Sequence, residues 1–360
     1  MPPEELAGWL RLAVTPGIGA AAARRLLKDF GLPQNVVNAP RRQLEAHLGT
    51  ETLERLRSAE VTRMVEQAMD WNTAPSHAII TLADANYPRS LLEIADPPLL
   101  LYCHGRAALL NRPSLAVVGS RHATPQGSRN AEQFARAFSA AGLTIVSGLA
   151  LGIDAAAHRG GLLGAGSTIA VLGTGIDVVY PPQHRALAAR IAEDGLLASE
   201  FPLQTASLKH NFPRRNRLIS GLTQGCLVVE AALGSGSLIT ARAAADQGRE
   251  VFAIPGSIHS PLARGCHALI KSGAKLVETA DDVLAELRPQ APRAAAAPAA
   301  RAGGSGDSPL LAHLGYDPVD IDALCARSGL AAQQVSAELL RLELEGAVMA
   351  LPGGRYQRLG

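Results

Sequence analysis

The stretch Lys209–Leu222 reads KHNFPRRNRLISGL. It gathers one lysine (Lys209), three arginines (Arg214, Arg215 and Arg217), Asn216 and a single phenylalanine, Phe212, just ahead of the apolar run CLVVEAAL. From Phe201 to Val229 no acidic residue occurs. Guanidinium groups meet phosphate oxygens in bidentate geometry. A flat apolar ring gives an unpaired base a face to stack on, for roughly 1–3 kcal/mol. A duplex hides that face and a single strand offers it, so cations around an aromatic point to single-stranded nucleic acid read with little sequence preference. A purely structural reading stands beside this one. In it Arg217 is a core-rim arginine paired with Glu200 or Glu230, and Phe212 anchors the start of a helix.

Glycine-rich loops follow the apolar runs in the same part of the chain. They are GSR (Gly119, Ser120, Arg121), SGLALGID (containing Gly148), GTGID, SEFP, EAALGSGSLITA (containing Gly234, Ser235, Gly236 and Ser237) and PGS. Glycine lets backbone amides approach an anion, and helix N-termini add favourable partial charge. One such loop is routine at a tight turn, but several on one sheet edge predict a phosphate-binding rim. Neither a GxxxxGK[ST] loop nor a compact GxGxxG follows the first strand, so no nucleotide cofactor is expected. His210, His259 and His267 have no metal-ligand spacing, and Cys103, Cys226, Cys266 and Cys325 form no CxxC pair, so no metal is expected. Asp154 and His158 lie four apart, which reads as a structural contact or as an acid–base pair. Glu230, beside the Gly-Ser loop, is the one arrangement an enzyme would use. It would make the chain a nucleotide-hydrolysing enzyme with Arg121 holding a monophosphate. The expectation taken is that the chain is not an enzyme and that no residue is catalytic.

These loops need a scaffold, and the period of the sequence supplies one. Between residues 75 and 288, apolar runs such as SLAVVG, LTIVSG, STIAVLG, GLLASE, GCLVVEA, EVFAIPG and AKLVET alternate with helical stretches. Continuous apolar strands separated by helices predict an α/β fold, a doubly wound, Rossmann-like, mostly parallel sheet with ligands beyond the carboxyl ends of its strands. Residues 1–74 are helical throughout. Their TPGIG turn resembles a helix-hairpin-helix motif that suits a phosphate, or is an ordinary connection between helices. Residues 289–309, rich in Ala, Pro, Gly and Ser, read as a flexible linker. Residues 310–360 read as helices followed by a small hairpin, a winged-helix-like domain. That domain carries more acids than arginines, which favours a protein contact over duplex binding.

The chain has 360 residues, enough for two or three domains, of which 47% are hydrophobic and 18% charged, so a sizeable core is expected. Net charge is only +2, so an anion site must come from local clustering. No apolar run is long enough to cross a bilayer, no signal peptide is apparent, and a cytoplasmic location is expected.

In order and with consistent spacing, VVGSR, IVSGLALGIDAAAH, AVLGTGIDVVYP, SEFP, FPRRNRLISGL, VVEAALGSGSLITARAAADQGREVFAIPG and GCHALIKSGA closely resemble the DNA-processing family DprA, also called Smf. The resemblance implies a protein that binds single-stranded DNA taken up in natural transformation, protects it and helps load the RecA recombinase. It also implies a homodimer joined through the Rossmann-like domain. By the family motifs, Arg121, Lys209 and Phe212 are the DNA contacts. His184 and His267 stand where the family more often has asparagine.

Overall fold

The computed structural model describes residues 1–287, 308–315 and 317–359. Six helices open the chain: α1 (Pro3–Val14), α2 (Ala20–Phe30), α3 (Pro33–Asn38), α4 (Arg41–Leu44), α5 (Thr50–Leu56) and α6 (Ala59–Trp71). The periodic stretch ETLERLRSAEVTRMVEQAMDW reads as a single helix in sequence but is divided into α5 and α6. Ser58 is the reason: its Oγ accepts the Val61 N–H at 3.2 Å, so it acts as a new N-cap.

Then follow β1 (His77–Thr81), α7 (Arg89–Leu92), β2 (Leu100–Gly105), β3 (Ser114–Val118), α8 (Pro125–Ala140), β4 (Thr144–Ser147), α9 (Ile153–Gly161), β5 (Thr168–Val171), α10 (Arg185–Asp194), β6 (Leu196–Ser199), α11 (Asn211–Gly221), β7 (Gly225–Val228), α12 (Ser237–Asp246), β8 (Glu250–Ala253), α13 (Arg264–Lys271), β9 (Lys275–Leu276) and α14 (Ala280–Leu287). The strands form one sheet in the order β1-β2-β6-β5-β4-β3-β7-β8-β9. Strands β3 to β9 are parallel, while β1 pairs β2, and β2 pairs β6, antiparallel. The doubly wound sheet is therefore present, extended at one edge by a hairpin-like pair that the apolar runs did not announce.

Both faces are covered. On β3, Leu115 and Val117 pack with Phe138 of α8 and Ile153 of α9, whereas Ala116 and Val118 pack with Leu218 of α11 and Leu238 of α12. Alternate side chains thus enter two apolar layers, the reason these strands read as unbroken apolar runs. The N-terminal helices share a core with Tyr102 of β2 and Ile191 of α10. Chain order runs outward from β3 to β6 and then returns to β7 on the other flank of β3, so the switch point lies between β3 and β7.

The segment read as a linker lies outside the described residues as far as 307, and a helix begins at Pro309. The C-terminal elements are α15 (Pro309–Leu314), β10 (Val319–Asp320), α16 (Ile321–Ser328), α17 (Ala332–Leu344), β11 (Val348–Leu351) and β12 (Arg355–Arg358). Three helices and a three-stranded sheet of order β10-β12-β11 make the winged helix, with Leu324, Val335, Leu339 and Leu342 at its centre. Among the described residues no helix is long and apolar enough to cross a membrane.

Candidate nucleic-acid interface

Helix α11 carries the cationic segment. Pro213 sits in its first turn, where a missing N–H costs no intrahelical bond. Leu218, Ile219 and Leu222 hold it on the sheet. Successive residues of a helix point about 100° apart, so the three arginines take different directions. Arg214 is exposed; its guanidinium lies 5.5 Å from the Phe201 ring centroid and 3.5 Å from Glu200 Oε2. Arg217 turns toward the N-terminal side, donating to Glu200 Oε2 and to the Asp96 carbonyl. Glu200 is buried, so Arg217 serves as the structural partner that the sequence left open.

Arg215 goes inward and is 4% exposed. It donates to the Gly148 carbonyl at 2.8 Å and to the Val171 carbonyl, joining the ends of β4 and β5. Burial lowers its pKa to about 10, with the Asp154 charge opposing the shift, so it remains a cation at neutral pH. As phosphate contacts, Arg215 and buried Gly148 are therefore displaced from the expected role. They hold each other, and Arg217 is held by Glu200. Asn216 is partly buried, its Oδ1 3.3 Å from Arg215 Nε.

The loop Gly148–Ala150 is fixed from several sides. Asp154 Oδ2 accepts from the amides of Gly148 (3.1 Å) and Ala150 (3.3 Å). His158 Nε2 accepts from the Leu149 amide at 3.3 Å. His184 Nδ1 lies 2.9 Å from the Leu149 carbonyl. Leu149 has φ +57°, a costly backbone state for a branched residue that persists only where surroundings enforce it. Asp154 and His158 thus act on one loop, through different amides. Burial lowers the His158 pKa to about 3, so its ring is neutral. Its Nδ1 meets Thr168 Oγ1 at 2.8 Å, and that hydroxyl donates to the Ile145 carbonyl, so the proton sits on Nδ1.

This loop runs into Gly152, whose missing side chain leaves room for the Ser120 and Arg121 backbone. The Ile153 amide donates to the Ser120 carbonyl (3.2 Å), and the Ser120 amide donates to the Glu230 carbonyl (2.7 Å). Ser120 is itself buried, and Gly119 sits close against Ile153. The effect of the turn is to project Arg121 outward. Its guanidinium lies over the Phe212 ring, 5.7 Å from the centroid. Phe212 rests against Gly173, where an added Cβ would come within 2.8 Å of Phe212 Cδ1. Lys209, exposed at the approach to α11, forms no ion pair among the described residues.

Gly234 to Ser237 form the turn into α12, the helix packed beside α11. Gly234 and Gly236 are exposed, and Ser235 Oγ meets Ser237 Oγ at 2.7 Å. Glu230 accepts from the Thr124 amide (2.9 Å) and hydroxyl (2.6 Å), and that hydroxyl accepts the Gly127 amide (2.9 Å) as the N-cap of α8. Each carboxylate oxygen thereby accepts one bond from the residue that starts α8. Burial raises the Glu230 pKa, and the Thr124 bonds oppose the rise.

The residues the structure brings together at the surface are Arg121 and Phe212, joined by Tyr180, which the sequence reading passed over. The Tyr180 ring centroid is 5.7 Å from that of Phe212. The available signal was scarcity: aromatics make up 4% of the chain, and Tyr180 closes a strand-end loop in VVYPP.

Comparison with known proteins bears on the family and the fold. Residues 78–288 match the family model of DNA recombination-mediator protein A, and residues 291–354 match the DprA winged helix domain. The chain belongs to the DprA (Smf) family. It is 43% identical over 305 residues to Protein Smf of Escherichia coli, covering 82% of this chain and 81% of that protein. It is 50% identical over 213 residues to the DNA processing protein DprA of Streptococcus pneumoniae, covering 59% of this chain and 74% of the relative. Among solved structures, DprA from Streptococcus pneumoniae superposes with a TM-score of 0.63 at 37% identity, covering 78% of this chain and 97% of that one. DprA from Helicobacter pylori, described for its single-stranded DNA binding mode, gives 0.53 at 31%, covering 58% and 95%.

Proposed function

We propose that this DprA-family chain binds single-stranded DNA across the face that carries Arg121, Lys209 and Phe212. In this reading phosphates take Arg121, Lys209, Arg214 and the exposed Gly234 and Gly236 ahead of buried Ser237, and bases stack on Phe212. The observation that carries it is the exposed Arg121 guanidinium over the half-buried, seated Phe212 ring, 5.7 Å away, with exposed Lys209 three residues before that ring and neither cation ion-paired among the described residues. The Helicobacter pylori relative, with its single-stranded DNA binding mode, supports the same ligand. Membership of the family supports the wider role: a cytoplasmic homodimer, joined through its Rossmann-like sheet, that protects incoming strands and passes them to the RecA recombinase. It acts by binding and performs no catalysis. The engagement of Glu230 with Thr124 supports that last point by giving the carboxylate a structural role at the start of α8.

A gel-shift series with single-stranded and duplex DNA of equal length tests the DNA step. The wild type should favour the single strand. Arg121→Ala or Lys209→Ala should weaken binding by about tenfold, the effect of removing one charge-assisted hydrogen bond to phosphate. Equal affinity for duplex, or full affinity in both folded variants, overturns the reading.

A further inference from the structure

Phe212 has a neighbour that the proposed contacts leave unused. Tyr180 is 45% exposed, and its hydroxyl makes no hydrogen bond among the described residues. Its ring plane is inclined at 46° to that of Phe212. The loop that presents it is firmly built. Thr174 Oγ1 donates to the Val178 carbonyl at 2.6 Å, Ser199 Oγ donates to the Thr174 carbonyl at 2.6 Å, and Asp177 accepts the Gln204 amide at 2.9 Å. A large ring held by a rigid loop yet left in water does little for the core, and its place beside Phe212 gives it a use.

The two rings do not make a slot. A base held between them needs parallel faces about 7 Å apart, two layers of about 3.5 Å each. The observed 5.7 Å and 46° give a splayed platform with one seat on each ring. Arg121, 5.7 Å from the Phe212 centroid, needs only a small outward swing to cover a base stacked on that ring.

We infer that Tyr180 and Phe212 form a two-ring platform that seats two neighbouring bases of a single strand and separates them, so that the site favours thymine-rich over adenine-rich strands. The inference rests on the single-stranded DNA reading above. Neighbouring bases in a stacked strand lie parallel, whereas rings inclined at 46° receive both only if the strand opens at that step. Opening costs most where bases stack strongly on each other, as adenines do, and least in pyrimidine runs. Sequence preference in such sites arises from this balance and needs no hydrogen-bond readout.

Fluorescence anisotropy with labelled oligo(dT) and oligo(dA) of equal length, across a salt series, tests it. Wild type should bind oligo(dT) about fivefold or more tightly than oligo(dA). Tyr180→Ala should lose about five- to tenfold in oligo(dT) affinity, narrow the ratio and keep the salt slope, because a ring releases no counterions. Tyr180→Phe should behave as wild type. Equal wild-type affinity for the two oligomers overturns the platform without recourse to any variant. So does a folded Tyr180→Ala protein with wild-type affinity and ratio, in which case loss of binding in Arg121→Ala leaves the single-stranded DNA reading standing. A wild type with no preference for single strand over duplex overturns both.

Discussion

At the scale of single residues, the cationic segment shows how a charge cluster in sequence disperses in space. Arg214, Arg215 and Arg217 are near neighbours in the chain. The helix sends the first to solvent, the second into the protein and the third to Glu200. Composition identified the segment, but only the helical phase says which cation faces solvent. Phe212 depends similarly on a residue that sequence does not advertise. Gly173 lies in a strand-end loop of the kind that suggests phosphate binding, yet its close contact is with Phe212. A methyl group there would stand 2.8 Å from Cδ1, closer than real Cβ atoms come, so the ring must move off its seat. Gly173→Ala should therefore weaken single-stranded DNA binding by roughly fivefold, on the order of one base–ring stack, while the protein stays folded. Anisotropy titrations paired with a thermal melt check this. Unchanged affinity would show that the seat does not matter.

At the scale of elements, the parallel strands were legible because both their faces are buried. The β1–β2 pair was not. Its strands follow turn-rich and proline-rich connections, and β1 is an edge strand whose first two residues are only partly buried. The division of α5 from α6 depended on a serine cap inside a good helical period. Least legible was the Gly148–Ala150 loop, whose stays come from α9 (Asp154, His158), the segment before α10 (His184) and α11 (Arg215). An i,i+4 Asp–His pair suggests mutual contact, whereas both residues serve the loop that supports Arg121. His158 makes this element pH-sensitive. Its folded value, about 3, lies below the ordinary 6.5, so between these values the unfolded chain binds a proton that the native state refuses. Its contribution is complete above pH 6.5 and is lost as the pH falls toward 3. The carboxyls of Asp154, Glu200 and Glu230, raised by burial, act in the opposite sense, because they take up protons in the native state first. Comparing wild type with His158→Gln isolates the histidine. The wild type's stability relative to the variant should shrink by up to about 1.4 kcal/mol per pH unit below 6.5. Urea unfolding at several pH values measures this, and a difference independent of pH would contradict it.

At the scale of the whole molecule, Asp96 lies between the N-terminal helices and the candidate interface. Arg24 of α2 reaches its carboxylate at 3.0 Å, and Arg217 of α11 approaches the other oxygen at 3.7 Å while holding Glu200. The helix that presents Phe212 is thereby tied to the N-terminal helices, and the cations spent on that tie are not available to DNA. In α17 of the winged helix, Arg341 is likewise occupied, bonded to Glu338 and Glu345. A near-neutral chain that presents only a few exposed cations on this face should show a shallow salt dependence. Each phosphate neutralised on a single strand contributes about −0.7 to the slope of log affinity against log salt. Arg121, Lys209 and Arg214 are the exposed cations of the face, so a slope of about −2 per chain is expected. Lys209→Ala should bring it to about −1.4, and Phe212→Ala should weaken binding with the slope unchanged. Anisotropy titrations over a tenfold range of salt measure all three. A wild-type slope of about −5 or steeper would mean that DNA travels well beyond this face, over surfaces of the N-terminal helices or the winged helix.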